Sequence, residues 1–291
     1  MRVFLTLLCF CLSVMQPFLV AAAEINSPIN IFVSILPQKY LVERVGGDRV
    51  AVEVMVRPGV SPETYEPTPK QMATLSNSQL YFRIGIPFES VWIERIERLN
   101  SNLKIIDCCH NLLTEKLSNP DQHDSQITRH DLDAHVWTSP VNAQYLAELV
   151  KVALVELDPL FSDNYERNYA VLIDELDELD STIRNQLAKI KNRYLLVSHP
   201  AWGYFANAYD LKQVPIEQNG SEIRAKELTR LIEFARAENI HTVYAQKQFN
   251  NASAEILARE INADVVELDP LAENYIENLR QVTHAIAQGA R

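Results

Sequence analysis

Between Asp158 and Arg193 a stripe of apolar residues runs through Phe161, Tyr165, Tyr169, Leu172, Leu176, Leu179, Ile183, Leu187 and Ile190. Every step between neighbours is three or four, which is the stripe of one amphipathic helix face. No Gly or Pro interrupts the run, Asp158-Pro159 reads as an N-cap with proline at the first helical position, and Lys189, Lys191 and Arg193 suit the far end of the dipole. A single helix over 158–193 is predicted, about 50 Å long. Asp174, Glu175, Asp177, Glu178 and Asp180 on the polar face exclude a membrane span. One stripe with strand–helix sequence on both sides favours a rigid spine joining two lobes over a dimeric coiled coil.

On either side the pattern shortens. Asn30–Leu36, Val50–Val56, Leu80–Ile84 and Leu103–Asp107 read as strands, with helices at Lys39–Val45, Gln71–Leu75, Glu89–Leu99 and Asn142–Leu157. After the spine come strands at Tyr194–Val197, Gln213–Ile216, His241–Ala245 and Asp264–Leu268. Helices Trp202–Ala208, Lys226–Ala237, Ala254–Ile261 and Tyr275–Ala287 alternate with them. Such alternation implies parallel sheets covered by helices. The expected fold is therefore α/β: two lobes of parallel β-sheet flanked by helices, joined by one long rigid α-helix. The expected division is a signal peptide at 1–23, an N-terminal lobe at 24–157, the backbone helix at 158–193 and a C-terminal lobe at 194–291. Arg57–Pro69, with four prolines and a glycine, must be an ordered loop. The polar stretch Asn111–Asp133 reads as a surface loop.

Residues 1–23 carry Arg2, an apolar run from Val3 to Val20 and then Ala21-Ala22-Ala23, the layout of a cleavable signal peptide. Export to the periplasm is expected. Cys108 and Cys109 are then the only cysteines left, and neighbours rarely have disulfide geometry, so buried thiols at a strand end are expected. The net charge of −11 argues against nucleic acid as a partner and fits a cationic solute.

In open α/β sheets the working residues sit where carboxyl ends of strands meet loops. Four candidates stand there: Glu63 in the proline-rich loop, His135 before Val136-Trp137, His199 after Ser198, and Asp269 after the strand ending at Leu268. Two precede the spine and two follow it. Two imidazoles and two carboxylates converging on a cleft would make a four-ligand site for a divalent cation. Each has a plainer reading: His199-Pro200 and Asp269-Pro270 also fit helix caps, and Glu63, like Glu66, fits a solvated loop carboxylate.

The segments RPGVSPETYEPTP, DAHVWTSP, SHPAWGYF and ELDPL resemble, in order and spacing, the signatures of the zinc- and manganese-binding solute receptors of ABC importers. That resemblance runs across nearly the whole chain after residue 23. It implies a periplasmic receptor that holds a metal ion between its lobes and passes it to an ABC permease in the inner membrane. Carried over position by position, His135, His199 and Asp269 match the family's second, third and fourth ligands. The first is a histidine in most members, and here Pro62-Glu63-Thr64-Tyr65-Glu66-Pro67 has Glu63 in its place. Glu63 is the favoured substitute, with Glu66 the alternative ligand and three protein ligands plus water the third arrangement. His123 and His130, where zinc-binding members carry a histidine-rich insertion, are accessory metal-collecting candidates. A set without cysteine disfavours soft metals; Zn²⁺ is favoured, with Mn²⁺ or Fe²⁺ second. A monomer is expected. An exported metal-buffering or adhesion protein is the alternative, and a zinc hydrolase using Glu66 or Glu222 is a lesser one, since no HExxH, GxSxG or phosphate loop occurs. No catalysis is expected.

Overall fold

The computed structural model describes residues 27–109, 112, 133–217 and 223–290. The signal peptide expected at 1–23, most of the loop expected at 111–133 with His123 and His130, and Glu222 lie outside them.

The N-terminal lobe holds β1 (Ile29–Val33), α1 (Leu36–Gly46), β2 (Val50–Val54), α2 (Pro69–Leu75), β3 (Leu80–Arg83), α3 (Pro87–Leu99) and β4 (Lys104–Asp107). After it come α4 (Pro140–Leu157) and the spine α5 (Ser162–Leu187), then β5 (Tyr194–Val197), α6 (Gly203–Ala208) and β6 (Lys212–Pro215). The chain continues through α7 (Ala225–Ala237), β7 (Thr242–Ala245), α8 (Ala252–Ile261), β8 (Asp264–Glu267) and α9 (Tyr275–Gly289). Both sheets are wholly parallel, ordered β2-β1-β3-β4 and β6-β5-β7-β8. This order explains the burial. The inner strands β1, β3, β5 and β7 are covered on both faces and are mostly buried, whereas the outer strands β2, β4, β6 and β8 are partly exposed.

The spine keeps its stripe: Tyr165, Leu172, Leu176, Leu179, Ile183 and Leu187 are fully covered within one chain. They pack against α1 and α4 on one side and α9 on the other, in a core that continues from the first lobe into the second. A coiled-coil dimer would need that same stripe, so the spine reading stands. Its ends differ from expectation. The α-helix has 26 residues, about 39 Å, and is preceded by a 3-10 turn at Pro159–Phe161. Asp158 does not cap it; its carboxylate accepts from Arg49 and from the Tyr165 hydroxyl instead. At the other end Arg193 donates to the carbonyls of Leu187 and Ala188, supplying from outside the helix the partners that a continuing turn would have provided.

Smaller corrections have local causes. Leu36 opens α1 instead of closing β1, because Pro37 occupies the first helical turn, where its missing N–H costs nothing. The proline-rich loop contains one 3-10 turn, Pro62–Thr64. Cys108 and Cys109 are buried thiols just after β4, and they form no disulfide with one another. Among the described residues no helix is long and apolar enough to cross a membrane.

Candidate metal centre

Glu63 is carried by the loop after β2. Ser61 accepts the Glu63 N–H at 3.2 Å and starts the short turn, while Pro62 is buried beneath it. Farther along, Tyr65 donates to Gln71 and sets its ring edge-on to Phe88, and Gln71 donates to the Met55 carbonyl, so the loop is tied to the sheet. His135 begins the 3-10 turn Val136–Thr138. One Asp133 oxygen accepts both the His135 backbone N–H, at 2.9 Å, and the ring Nδ1–H, at 2.7 Å. His199 follows β5, where Ser198 and His199 are both buried. Its Nδ1 lies 2.9 Å from Glu217, and its ring stacks on Phe249 with centroids 4.1 Å apart and planes 14° from parallel.

Glu63, His135 and His199 converge from both lobes, with one donor atom of each within 4.8 Å of the others. The two imidazoles meet edge to face at 5.3 Å between centroids. His199 Nε2 lies 4.0 Å from Glu63 Oε1. Tetrahedral bonds of about 2.1 Å put neighbouring donors about 3.4 Å apart, so this pair is roughly half an ångström too wide, and Glu63 sits on the solvent side, where its side chain can close the difference. Both imidazoles use Nδ1 on a carboxylate, which fixes the ring and leaves Nε2 as the lone-pair nitrogen facing the cluster, the arrangement of metal-binding histidines. His199 Nε2 is buried with no hydrogen-bond partner among the described residues. A buried nitrogen left unpaired costs about 1–3 kcal/mol, and a cation is the partner this one suits.

The charges around the cluster agree. Burial alone would pull the His135 imidazole down, but the Asp133 carboxylate, with Glu63 and Glu217 adding, outweighs it and holds the group above its ordinary value. The site thus favours positive charge at that ring, whether a proton or a metal ion supplies it.

Asp269 stands apart from the three-residue cluster. It is half-buried on the wall of a cavity of about 410 Å³ between the lobes, which Arg57, Lys247, Gln248 and Glu273 also line. It caps no helix; its Oδ1 accepts the Leu271 N–H and Gln248 Nε2–H, both at 2.9 Å. Glu66 is exposed on the outside of its loop and is not in the cluster. Sequence reasoning missed the role of Asp133 and missed Glu217 altogether. Glu217 stands just past the carboxyl end of β6, the neighbour of β5, and that strand-end position was the available signal.

Two lobes of one strand order, a helix bridging them and donors from both meeting in the cleft define the architecture of a metal-binding solute receptor. The chain belongs to the family described as zinc-uptake complex component A, periplasmic, whose model matches residues 31–289. It is similar to a crystal structure of ZnuA, with a TM-score of 0.84 and 38% identity over 91% of this chain and 100% of that one. A zinc-bound ZnuA deletion mutant gives a TM-score of 0.81 and 38% identity, covering 91% of this chain and 98% of its own. The high-affinity zinc uptake system protein ZnuA of Bacillus subtilis is 28% identical over 254 residues, 84% of this chain and 78% of that protein.

Proposed function

We propose that this protein captures Zn²⁺, with Mn²⁺ or Fe²⁺ as weaker cargo, through Glu63, His135 and His199, with Asp269 as the fourth ligand. It then delivers the ion to an ABC permease of the inner membrane. It acts as a monomer in the periplasm after export by residues 1–23, with lobes 24–157 and 194–291 on the helix 158–193, and it turns over no substrate. The observation that carries this reading is the convergence of two buried imidazoles, each braced at Nδ1 by its own carboxylate, on one flexible glutamate. Two nitrogen donors with carboxylate oxygens suit zinc, and the higher place of Zn²⁺ in the affinity series favours it over manganese and iron at such a site. Two ligating carboxylates balance the charge of a divalent ion, which lowers the cost of enclosing it.

The test is competitive titration of the purified metal-free protein with Zn²⁺, Mn²⁺ and Fe²⁺ against a chelator of known affinity. One equivalent of Zn²⁺ should bind most tightly, and the bound ion should raise the unfolding temperature, since only the native state assembles the ligands. Binding that survives unchanged in both His135→Ala and His199→Ala would overturn the proposal.

A further inference from the structure

Of the four proposed ligands Asp269 alone stands outside the three-residue cluster, so what holds it matters. The segment 246–251 after β7 touches both donors of the C-terminal lobe. Phe249 stacks on the His199 ring, and Gln248 Nε2 donates to Asp269 Oδ1. The segment is itself fixed. Ser198 Oγ, beside His199, accepts the Gln246 N–H at 3.0 Å, and Asn251 Nδ2 donates to the carbonyls of Gln246 and Phe249. The backbone next to Asp269 is anchored as well: the Pro270 carbonyl accepts from Trp137 Nε1 at 2.7 Å, two residues beyond His135.

The orientation of the Gln248 amide follows from chemistry. An ionised carboxylate only accepts, so the amide NH₂ must face Asp269. Gln248 Oε1 is then buried without a partner among the described residues, a cost that a purely structural glutamine would avoid by turning toward solvent. Among the described residues both hydrogen bonds to the Asp269 carboxylate fall on Oδ1, which leaves Oδ2 as the oxygen to offer a cation.

Resting on the proposed metal-binding reading, we infer that Gln248 is the positioning residue of Asp269, setting which carboxylate oxygen is presented to the metal. Phe249 on the same segment sets the plane of His199. One short loop thereby aligns both ligands of the C-terminal lobe.

The experiment is a double-mutant cycle of Gln248→Ala and Asp269→Ala, reading Zn²⁺ affinity by chelator competition at neutral pH, with apo unfolding temperatures recorded for every variant. Removal of an outer hydrogen-bond partner of a ligand costs on the order of 10–100-fold in affinity. Gln248→Ala should show a loss of that size and should cost nothing further when Asp269 is already Ala. Gln248→Glu, which sets a second anion beside Asp269, should bind zinc more weakly than wild type as well, and Gln248→Asn should fall between Ala and wild type. Wild-type affinity in Gln248→Ala would overturn the inference, and so would an equal loss in the Asp269→Ala background, which would mark a general structural role. If Asp269→Ala binds normally while His199→Ala does not, the inference fails and the metal site stands; if neither variant loses affinity, the site reading fails with it.

Discussion

The two lobes share one strand order, yet they treat the crevice beside their first strand in opposite ways. In each, the first strand ends in Val-Ser: Val33-Ser34 after β1 and Val197-Ser198 after β5. The next residue is Ile35 in one lobe and His199 in the other. The N-terminal lobe seals the position. Ile35 is fully buried, and Glu89 from the first turn of α3 accepts from Ser34 Oγ and from the backbone N–H groups of Ile84 and Gly85. In the C-terminal lobe the corresponding serine accepts a backbone N–H from Gln246, and the site beside it carries an imidazole with an unpaired nitrogen. The N-terminal lobe instead sends Glu63 and His135 from the loops after its outer strands, β2 and β4. The same topology therefore supplies a packed floor in one lobe and a donor in the other. Fold alone does not say which, and one residue after the strand decides it.

Several changes can break or sharpen that comparison. The largest effect should come from His199→Ala and His135→Ala, each lowering Zn²⁺ affinity by more than about 100-fold, beyond the range for outer partners, with the apo far-UV spectrum unchanged. At the matching position Ile35→Ala should do the reverse, costing about 2–5 kcal/mol of stability from an unfilled core, read by urea unfolding, with zinc affinity in the folded protein retained.

The sealed crevice should also show in the pH dependence of stability. Burial pushes Glu89 up to about 7, although three hydrogen-bond donors and Arg83 pull the other way. The unfolded carboxyl ionises near its ordinary 4.5, so between these values the native state binds more protons. Stability from this group is present at low pH and is lost as pH rises through about 7, by roughly 3 kcal/mol in all. Glu89→Gln cannot ionise. The stability difference between variant and wild type, measured by urea unfolding at pH 5 and pH 8, should move in the variant's favour by about that amount. An unchanged difference would mean that Glu89 is ionised throughout.

Next in size are the carboxylates behind the histidines. Asp133→Asn and Glu217→Gln should each weaken zinc binding by about 10–100-fold, because a neutral amide braces Nδ1–H less strongly and can hold the ring in the wrong orientation. Similar losses would show that the lobes orient their imidazoles equivalently; a loss confined to one would show that a single lobe does the orienting.

The smallest change is at Glu63. Each ligand histidine that is protonated on the acid side must give up its proton before the metal binds, and with Glu63 in the first position there are two of them. The logarithm of the dissociation constant should then change by about two per pH unit. Glu63→His should steepen this toward three and shift preference further toward Zn²⁺, while Glu63→Gln should weaken binding at an unchanged slope. Unchanged affinity in Glu63→Gln would make Glu63 a bystander.

The order of strands and helices was legible along the chain because each inner strand, covered on both faces, reads as a short apolar run, and the spine's spacing of three and four reads as one buried stripe. The strand-end positions of Glu63, His135 and His199 followed from that reading. Other features are set by contacts that the periodicity does not carry. Past the end of the spine Arg193 folds back onto its last carbonyls, and Asp158 serves Arg49 and Tyr165 in place of the helix. His199 meets Glu217 because β5 lies beside β6, and Asp269 meets Gln248 because β7 lies beside β8. Periodicity reports which face of an element is covered, since that depends on neighbours three or four residues away. Which carboxylate braces which ring depends on strand order, and only the assembled sheets establish it.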